Sequence, residues 1–111
     1  MIKIALPLCA LLLMCSPATA ASFDCTRART PDETAICHNR TLNDKDVEMA
    51  TTYRLLSGLF AMGTRGNMQD AQQQWLARRH QCGSHIQCLN QRYDERLKQL
   101  QTLYDNIDKP L

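Results

Sequence analysis

After its first twenty residues the sequence has no apolar run long enough to span a bilayer, a task that takes ~20 residues. It also has no dominant charge, with 13 Lys+Arg against 11 Asp+Glu. That balance gives no warrant for nucleic acid or an anionic membrane as partner. No segment alternates apolar and polar residues with period two, and β-branched residues are sparse. Both absences speak against a sheet. There is no internal repeat and no low-complexity tract. A Cys-x-x-Cys pair is missing too, so nothing points to disulfide oxidoreductase chemistry.

The opening segment, "MIKIALPLCALLLMCSPATA", reads as a secretory signal. Lys3 supplies the positive start, Ile4 to Cys15 the short apolar run, and Ala18-Thr19-Ala20 a small-x-small cleavage site. A lipidated Cys15 is the competing reading, but Met14 stands where a small residue would be needed. Residues 1–20 are therefore expected to be cleaved, and residues 21–111 to form one periplasmic or secreted domain. At about 90 residues such a domain buries only ~60–65% of its unfolded surface. Losing Cys9 and Cys15 with the signal leaves Cys25, Cys37, Cys82 and Cys88. An even number in an exported chain implies disulfides.

Caps and periodicity outline four helices. Thr30-Pro31-Asp32-Glu33 combines a capping box, a proline at the first helical position and acidic residues at the positive end of the dipole. This short helix ends near Asn39. Next, Leu42, Met49, Tyr53, Leu56 and Phe60 recur at helical steps from Thr41 to about Gly63, with Asp46 in the middle of the apolar stripe. "GTRGN" (63–67) reads as a loop, with Arg65 packed against nothing. A third helix starts at Asn67, with Met68, Ala71, Trp75, Arg78 or Arg79, and Cys82 facing inward. Ser84 with Gln87 caps a fourth, whose inner line is Ile86, Leu89, Tyr93, Leu97, Leu100, Tyr104 and Ile107, ending before Pro110. The expected fold is all-α, a small disulfide-stapled domain in which an antiparallel pair of long helices carries shorter ones.

Local pairing, Cys25–Cys37 and Cys82–Cys88, is expected because each pair flanks a helix end where the chain changes direction. Each bridge stabilises by about 2–3 kcal/mol in the chain-entropy account. Cross-pairing such as Cys25–Cys82 would close a longer loop and is the alternative. Zinc is disfavoured, because neither cysteine pair has the two-to-four-residue spacing of structural sites. No cofactor or metal is expected.

Three blocks carry a family resemblance: "FDCTRARTPDETAIC" (23–37), "LNDKDVEMATTY" (42–53) and "QQQWLARRHQCGSHIQCLNQRYDERLKQL" (72–100). The last is built on Trp75, Arg79, Cys82, Cys88, Leu89, Tyr93 and Arg96. Together they resemble the LprI-type lysozyme-inhibitor family of exported bacterial proteins. One departure is His80, where the family tends to carry Asp. The resemblance implies an exported, disulfide-bonded helical domain that binds a protein and blocks lysozyme. The alternative is a structural or scaffolding envelope protein with another periplasmic partner.

Catalysis finds no support, since no nucleophile is paired with a base and an orienting third group. Asp32, Glu33, Asp44, Glu48, Asp70, Asp94 and Glu95 read as cap residues or solvated helix faces. Asp46 is the exception, and as a buried carboxylate it needs a partner, either Arg78 or Arg79. A structural ion pair is one outcome. A groove lined by Asp46, Arg79 and Trp75 is the other. His38, His80 and His85 lie near helix ends, where they meet backbone carbonyls or solvent. For a binding surface the candidates are the glycine-flanked Arg65 and the "GSH" turn with His85.

Overall fold

The computed structural model describes residues 21–107. Residues 1–20, expected from the sequence to be a signal segment and including Cys9 and Cys15, lie outside the described residues, as does Pro110. A 3-10 turn at Cys25–Arg27 leads into α1 (Pro31–His38), α2 (Arg40–Ser57), α3 (Met62–Gln81) and α4 (Ile86–Asp105). The all-α expectation holds.

Local chemistry explains most boundaries. Thr30 accepts a hydrogen bond from the Glu33 N–H and donates its hydroxyl to Glu33 Oε1. The expected reciprocal bond to the Thr30 N–H is thus replaced by a side-chain contact. Asn39 closes α1 and opens α2 in one residue. Its extended backbone breaks the first helix, and its Oδ1 accepts the Leu42 N–H at 3.0 Å.

The glycine segment is where expectation and structure part. The second helix stops at Ser57, not near Gly63, and "GTRGN" forms the first turns of α3. Glycine in an exposed helix costs about 1 kcal/mol relative to alanine but does not forbid the helix. Helix α2 closes with a last helical bond from Gly58 and with side-chain bonds from Arg65 to Ser57 and to the turn that follows. Gly58 N–H bonds Arg54 O, Arg65 Nε donates to Ser57 O at 2.9 Å, and Arg65 Nη2 donates to Phe60 O at 3.2 Å. Arg65 is therefore a cap for the end of α2 rather than a free loop residue. A Cβ added at Gly66 would meet nothing within 4 Å. Gly66→Ala is accordingly expected to stabilise the domain by about 0.5–1 kcal/mol in urea denaturation. A loss of stability instead would mean the segment is not helical.

The α3–α4 turn uses Gly83 at φ 55°, a left-handed conformation open to glycine. The cap of α4 falls on His85, whose Nδ1 accepts the Cys88 N–H at 3.0 Å, and not on Ser84. Ile86, expected to face inward, is exposed as the first residue of α4, and Tyr104, also expected inward, is exposed near its last turn.

Helices α3 and α4 are the antiparallel long pair. Contacts Gln72–Arg96 and Trp75–Arg92 descend along one as they ascend the other. Helix α2 runs beside α4 in the same direction, through Lys45–Asp94, Asp46–Tyr93 and Tyr53–Arg96. The short α1 packs on α2 and on the end of α3. Ile36, Leu42, Met49, Leu56, Met68, Trp75, Leu89, Tyr93 and Leu100 form the core. On α3 the inward line is Met68, Gln72, Trp75, Arg79 and Cys82. Ala71 and Arg78 face out. Both staples are local, Cys25–Cys37 and Cys82–Cys88. They sit at the end where α1 meets the α3–α4 turn. Among the described residues, the opposite end, with the α2–α3 turn and the last turns of α4, has no staple.

Candidate functional site

The polar centre of the fold is built from all four helices. Asp46 on α2 is fully buried. Its Oδ1 accepts the Tyr93 hydroxyl at 2.7 Å, and its Oδ2 accepts the Ser22 backbone N–H at 2.6 Å. Asp32 on α1 is also buried, and its Oδ2 accepts Arg79 Nε at 3.0 Å. Arg79 Nη1 lies 3.9 Å from Asp46 Oδ1, so one guanidinium serves two buried carboxylates. Of the two partners considered for Asp46, Arg79 is the one that reaches it, though only as its third and longest contact. Arg78 faces solvent. The Arg79 guanidinium also lies 5.6 Å from the Phe23 ring centre and 5.9 Å from that of Trp75, within cation–π range.

Asp32, by its position a dipole-complementing acid at a helix start, is a buried ion-pair partner. No local pattern distinguishes the two roles, because its partner is 47 residues away. His80 takes part as well, its Nδ1 lying 3.3 Å from Asp32 Oδ1. Thus the position where the family tends to carry Asp holds a residue that contacts a carboxylate here.

Burial pushes the Asp32 pKa upward. The Thr30 hydroxyl, the Arg79 bond and charge, and the His80 contact outweigh that, and the net shift is down. Tyr93 goes the other way. Burial raises its phenol and the neighbouring Asp46 charge adds to this, so it stays a neutral donor. For Arg79, burial lowers the pKa, while Tyr93 and Asp32 raise it to a net value above normal.

The linkage for Asp32 has a definite sign. Its lowered pKa contributes stability that is fully present above the unfolded value of ~3.9. That contribution is lost as pH falls through the lower folded value. Urea midpoints measured from pH 7 to pH 2 are expected to fall below about pH 4, and Asp32→Asn should flatten that part of the curve. An unchanged acid limb in Asp32→Asn would show that other carboxylates control acid unfolding.

Arg96 is a second buried cation, with no local signal in the sequence. Arg96 is 2% exposed; its Nε donates to Gln72 Oε1 at 2.9 Å and its Nη1 to Gln99 Oε1 at 3.0 Å. Burial lowers its pKa, opposed by Tyr53. It occupies the helical step between Tyr93 and Leu100, where an apolar residue is the simple expectation.

The five binding candidates fall into three places. Asp46, Arg79 and Trp75 come together, but as interior structure. Trp75 is 4% exposed, donates Nε1–H to Arg92 O at 2.7 Å, and meets the Tyr93 ring edge-on at 5.0 Å. The groove beside Trp75, about 490 Å³, is lined by Ala71, Gln74, Ala77, Arg78 and Gln99, not by Asp46 or Arg79. His85 lies at the stapled end, with one ring nitrogen occupied as a cap. Arg65 lies at the other end, held by the Ser57 and Phe60 carbonyls.

That unstapled end carries the apolar surface. Leu55 and Leu59 are 64% exposed and Met62 is 86% exposed. Leu55 and Leu59 line a small cleft of about 200 Å³ against α4, together with Thr52, Leu56, Leu100 and Tyr104. Grouped exposed apolar side chains of this kind mark interaction surfaces. The sequence hid this patch, because Leu55 and Leu59 lie off the stripe that marks the core face of α2.

Among the described residues no group of three or more His, Cys, Asp or Glu is placed to hold a metal ion. No helix among them is long and apolar enough to cross a membrane. The model of a family described as lysozyme inhibitor LprI matches residues 25–100. That stretch contains both disulfides, the Asp32–Arg79–Asp46 cluster and the apolar end. No curated protein and no solved structure matches the chain.

Proposed function

We propose that this chain, which belongs to the lysozyme inhibitor LprI family, is an exported domain that binds lysozyme and blocks it. The observation that carries the reading is the family match over the whole helical core. The family is described as an inhibitor family rather than as a group of enzymes, so action by binding follows more directly than turnover. The signal pattern at residues 1–20 and the two disulfides support export to an oxidising compartment.

Near-neutral charge limits how such a domain can work. Many lysozymes are basic, and this chain has no acidic excess to steer it onto them. The contact therefore depends on a local surface, and the unstapled end fits best. Leu55, Leu59 and Met62 supply an apolar collar that can exclude water at an interface centre. Arg65 sits among them with its guanidinium already positioned by two carbonyls. Glycoside hydrolases of this kind place two carboxylates across the scissile bond, and a preorganised guanidinium matches carboxylate geometry. In this reading the α2–α3 turn enters the substrate cleft and Arg65 faces the catalytic carboxylates.

The test is a titration of purified mature protein, disulfides intact, into lysozymes of several types acting on bacterial cell walls. A dose-dependent loss of lysis by at least one type is expected. If all of them stay fully active at high micromolar protein, the inhibitor reading fails. The scaffold reading, with a different envelope partner, then takes its place.

A further inference from the structure

The charges of the buried cluster do not balance. Asp32 and Asp46 are two carboxylates, and Arg79 is the single guanidinium between them. His80 reaches Asp32 and not Asp46. Asp46 is held mainly by neutral donors, the Tyr93 hydroxyl and the Ser22 N–H. Buried charges are normally paired, and among the described residues the one cation recorded beside Asp46 is Arg79, 3.9 Å away and shared with Asp32.

The chain can supply a second. Ser22 N is 2.6 Å from Asp46 Oδ2, and Ala21, the residue before it, is itself buried at 9% exposure. Adjacent backbone nitrogens are at most about 3.7 Å apart by covalent geometry, so the Ala21 nitrogen lies no more than about 6.3 Å from Asp46 Oδ2 and can swing closer by rotation about Ala21 ψ. In the uncut chain that nitrogen is a neutral amide. Cleavage after the Ala18-Thr19-Ala20 site turns it into an α-ammonium.

We propose that Asp46 is an ammonium-binding site whose ligand is the chain's own new N-terminus. Hydrolysis of the Ala20–Ala21 peptide bond leaves a carboxylate on the released segment and an α-ammonium on Ala21. The ammonium then pairs with Asp46 and balances the cluster. Opposite charges within ~4–6 Å stabilise each other's ionised forms, and exclusion of water strengthens the attraction. The cluster joins α1, α2, α3 and α4, so processing tightens the whole stapled end. The inference rests on the export reading and is independent of which protein the domain binds.

The experiment compares the mature protein with a free Ala21 amine against the same protein N-acetylated at Ala21. Both are made with wild-type Asp46 and with Asp46→Asn. The free amine is expected to raise Tm by at least about 4 °C over the acetylated form, and Asp46→Asn should abolish the difference. Equal Tm values in the wild-type pair overturn the proposal, as does a difference that survives Asp46→Asn. Should Asp46→Asn not fold, the reactivity of the Ala21 amine in wild-type protein decides. Acylation at least about tenfold slower in the folded than in the urea-unfolded protein supports the pair, and equal rates overturn it. N-terminal sequencing of the exported protein must also begin at Ala21. Any other first residue sinks the idea whatever the lysozyme assay shows.

Discussion

Arg79→Ala is expected to destabilise the domain by about 3–5 kcal/mol, because it strands buried carboxylates. Arg79 is the cation that Asp32 contacts at 3.0 Å and Asp46 at 3.9 Å, and both carboxylates are buried. The loss is comparable with the whole ~5–10 kcal/mol expected of a domain this size. Much of the protein should then be unfolded at moderate temperature. Arg79→Lys keeps a charge but loses the fork that spans two acids, and should fall between wild type and alanine. Arg78→Ala, one residue away and exposed, should stay within about 0.5 kcal/mol of wild type. Urea denaturation followed by circular dichroism at pH 7 measures all three. An Arg79→Ala cost under about 1 kcal/mol would mean that water reaches Asp32 and Asp46. The cluster would then not be the structural centre described above.

Leu59→Asp should weaken lysozyme inhibition by ~30-fold or more, the effect of losing a central interface anchor worth ~2 kcal/mol. Leu59 is 64% exposed, so stability should shift by less than about 0.5 kcal/mol. Arg65→Glu should weaken inhibition as well, since it puts an anion where two carboxylates are to be met. Unlike Leu59→Asp, it should also lower Tm. The sequence alone suggested no such effect, but Arg65 binds the Ser57 carbonyl at the end of α2 and the Phe60 carbonyl in the turn after it. Ile86→Asp, at the stapled end and 40% exposed, serves as the control and should leave inhibition unchanged. If Ile86→Asp abolishes inhibition and Leu59→Asp does not, the contact lies at the stapled end around the "GSH" turn.

The sequence by itself determined what local chemistry controls. The start of α1 follows from Thr30, Pro31 and Glu33. The all-α class follows from helical periodicity with no alternation. The local disulfides follow from cysteines that flank helix ends. The burial of Asp46 was legible because a lone carboxylate interrupts a stripe of Leu42, Met49 and Leu56. Tertiary structure decided the rest, for one recurring reason: the partner lies far along the chain or supplies a group with no local signature. Asp32 looks like any acid at a helix start until Arg79, 47 residues on, is packed against it. Arg96 looks like a surface arginine until its N–H groups donate to Gln72 and Gln99 and the Tyr53 ring lies beside it. "GTRGN" looks like a loop because glycine lowers helix propensity. Yet propensity is a preference of about 1 kcal/mol per residue, and the Arg65 bonds that close α2 place the turn earlier. Leu55 and Leu59 lie off the apolar stripe and look like scattered surface residues, and only the fold sets both beside α4 along one cleft. The cation balance at Asp46 belongs to both levels. The sequence marks a small-x-small pattern just ahead of Ala21, and the fold sets the next residue, Ser22, on the buried Asp46 carboxylate.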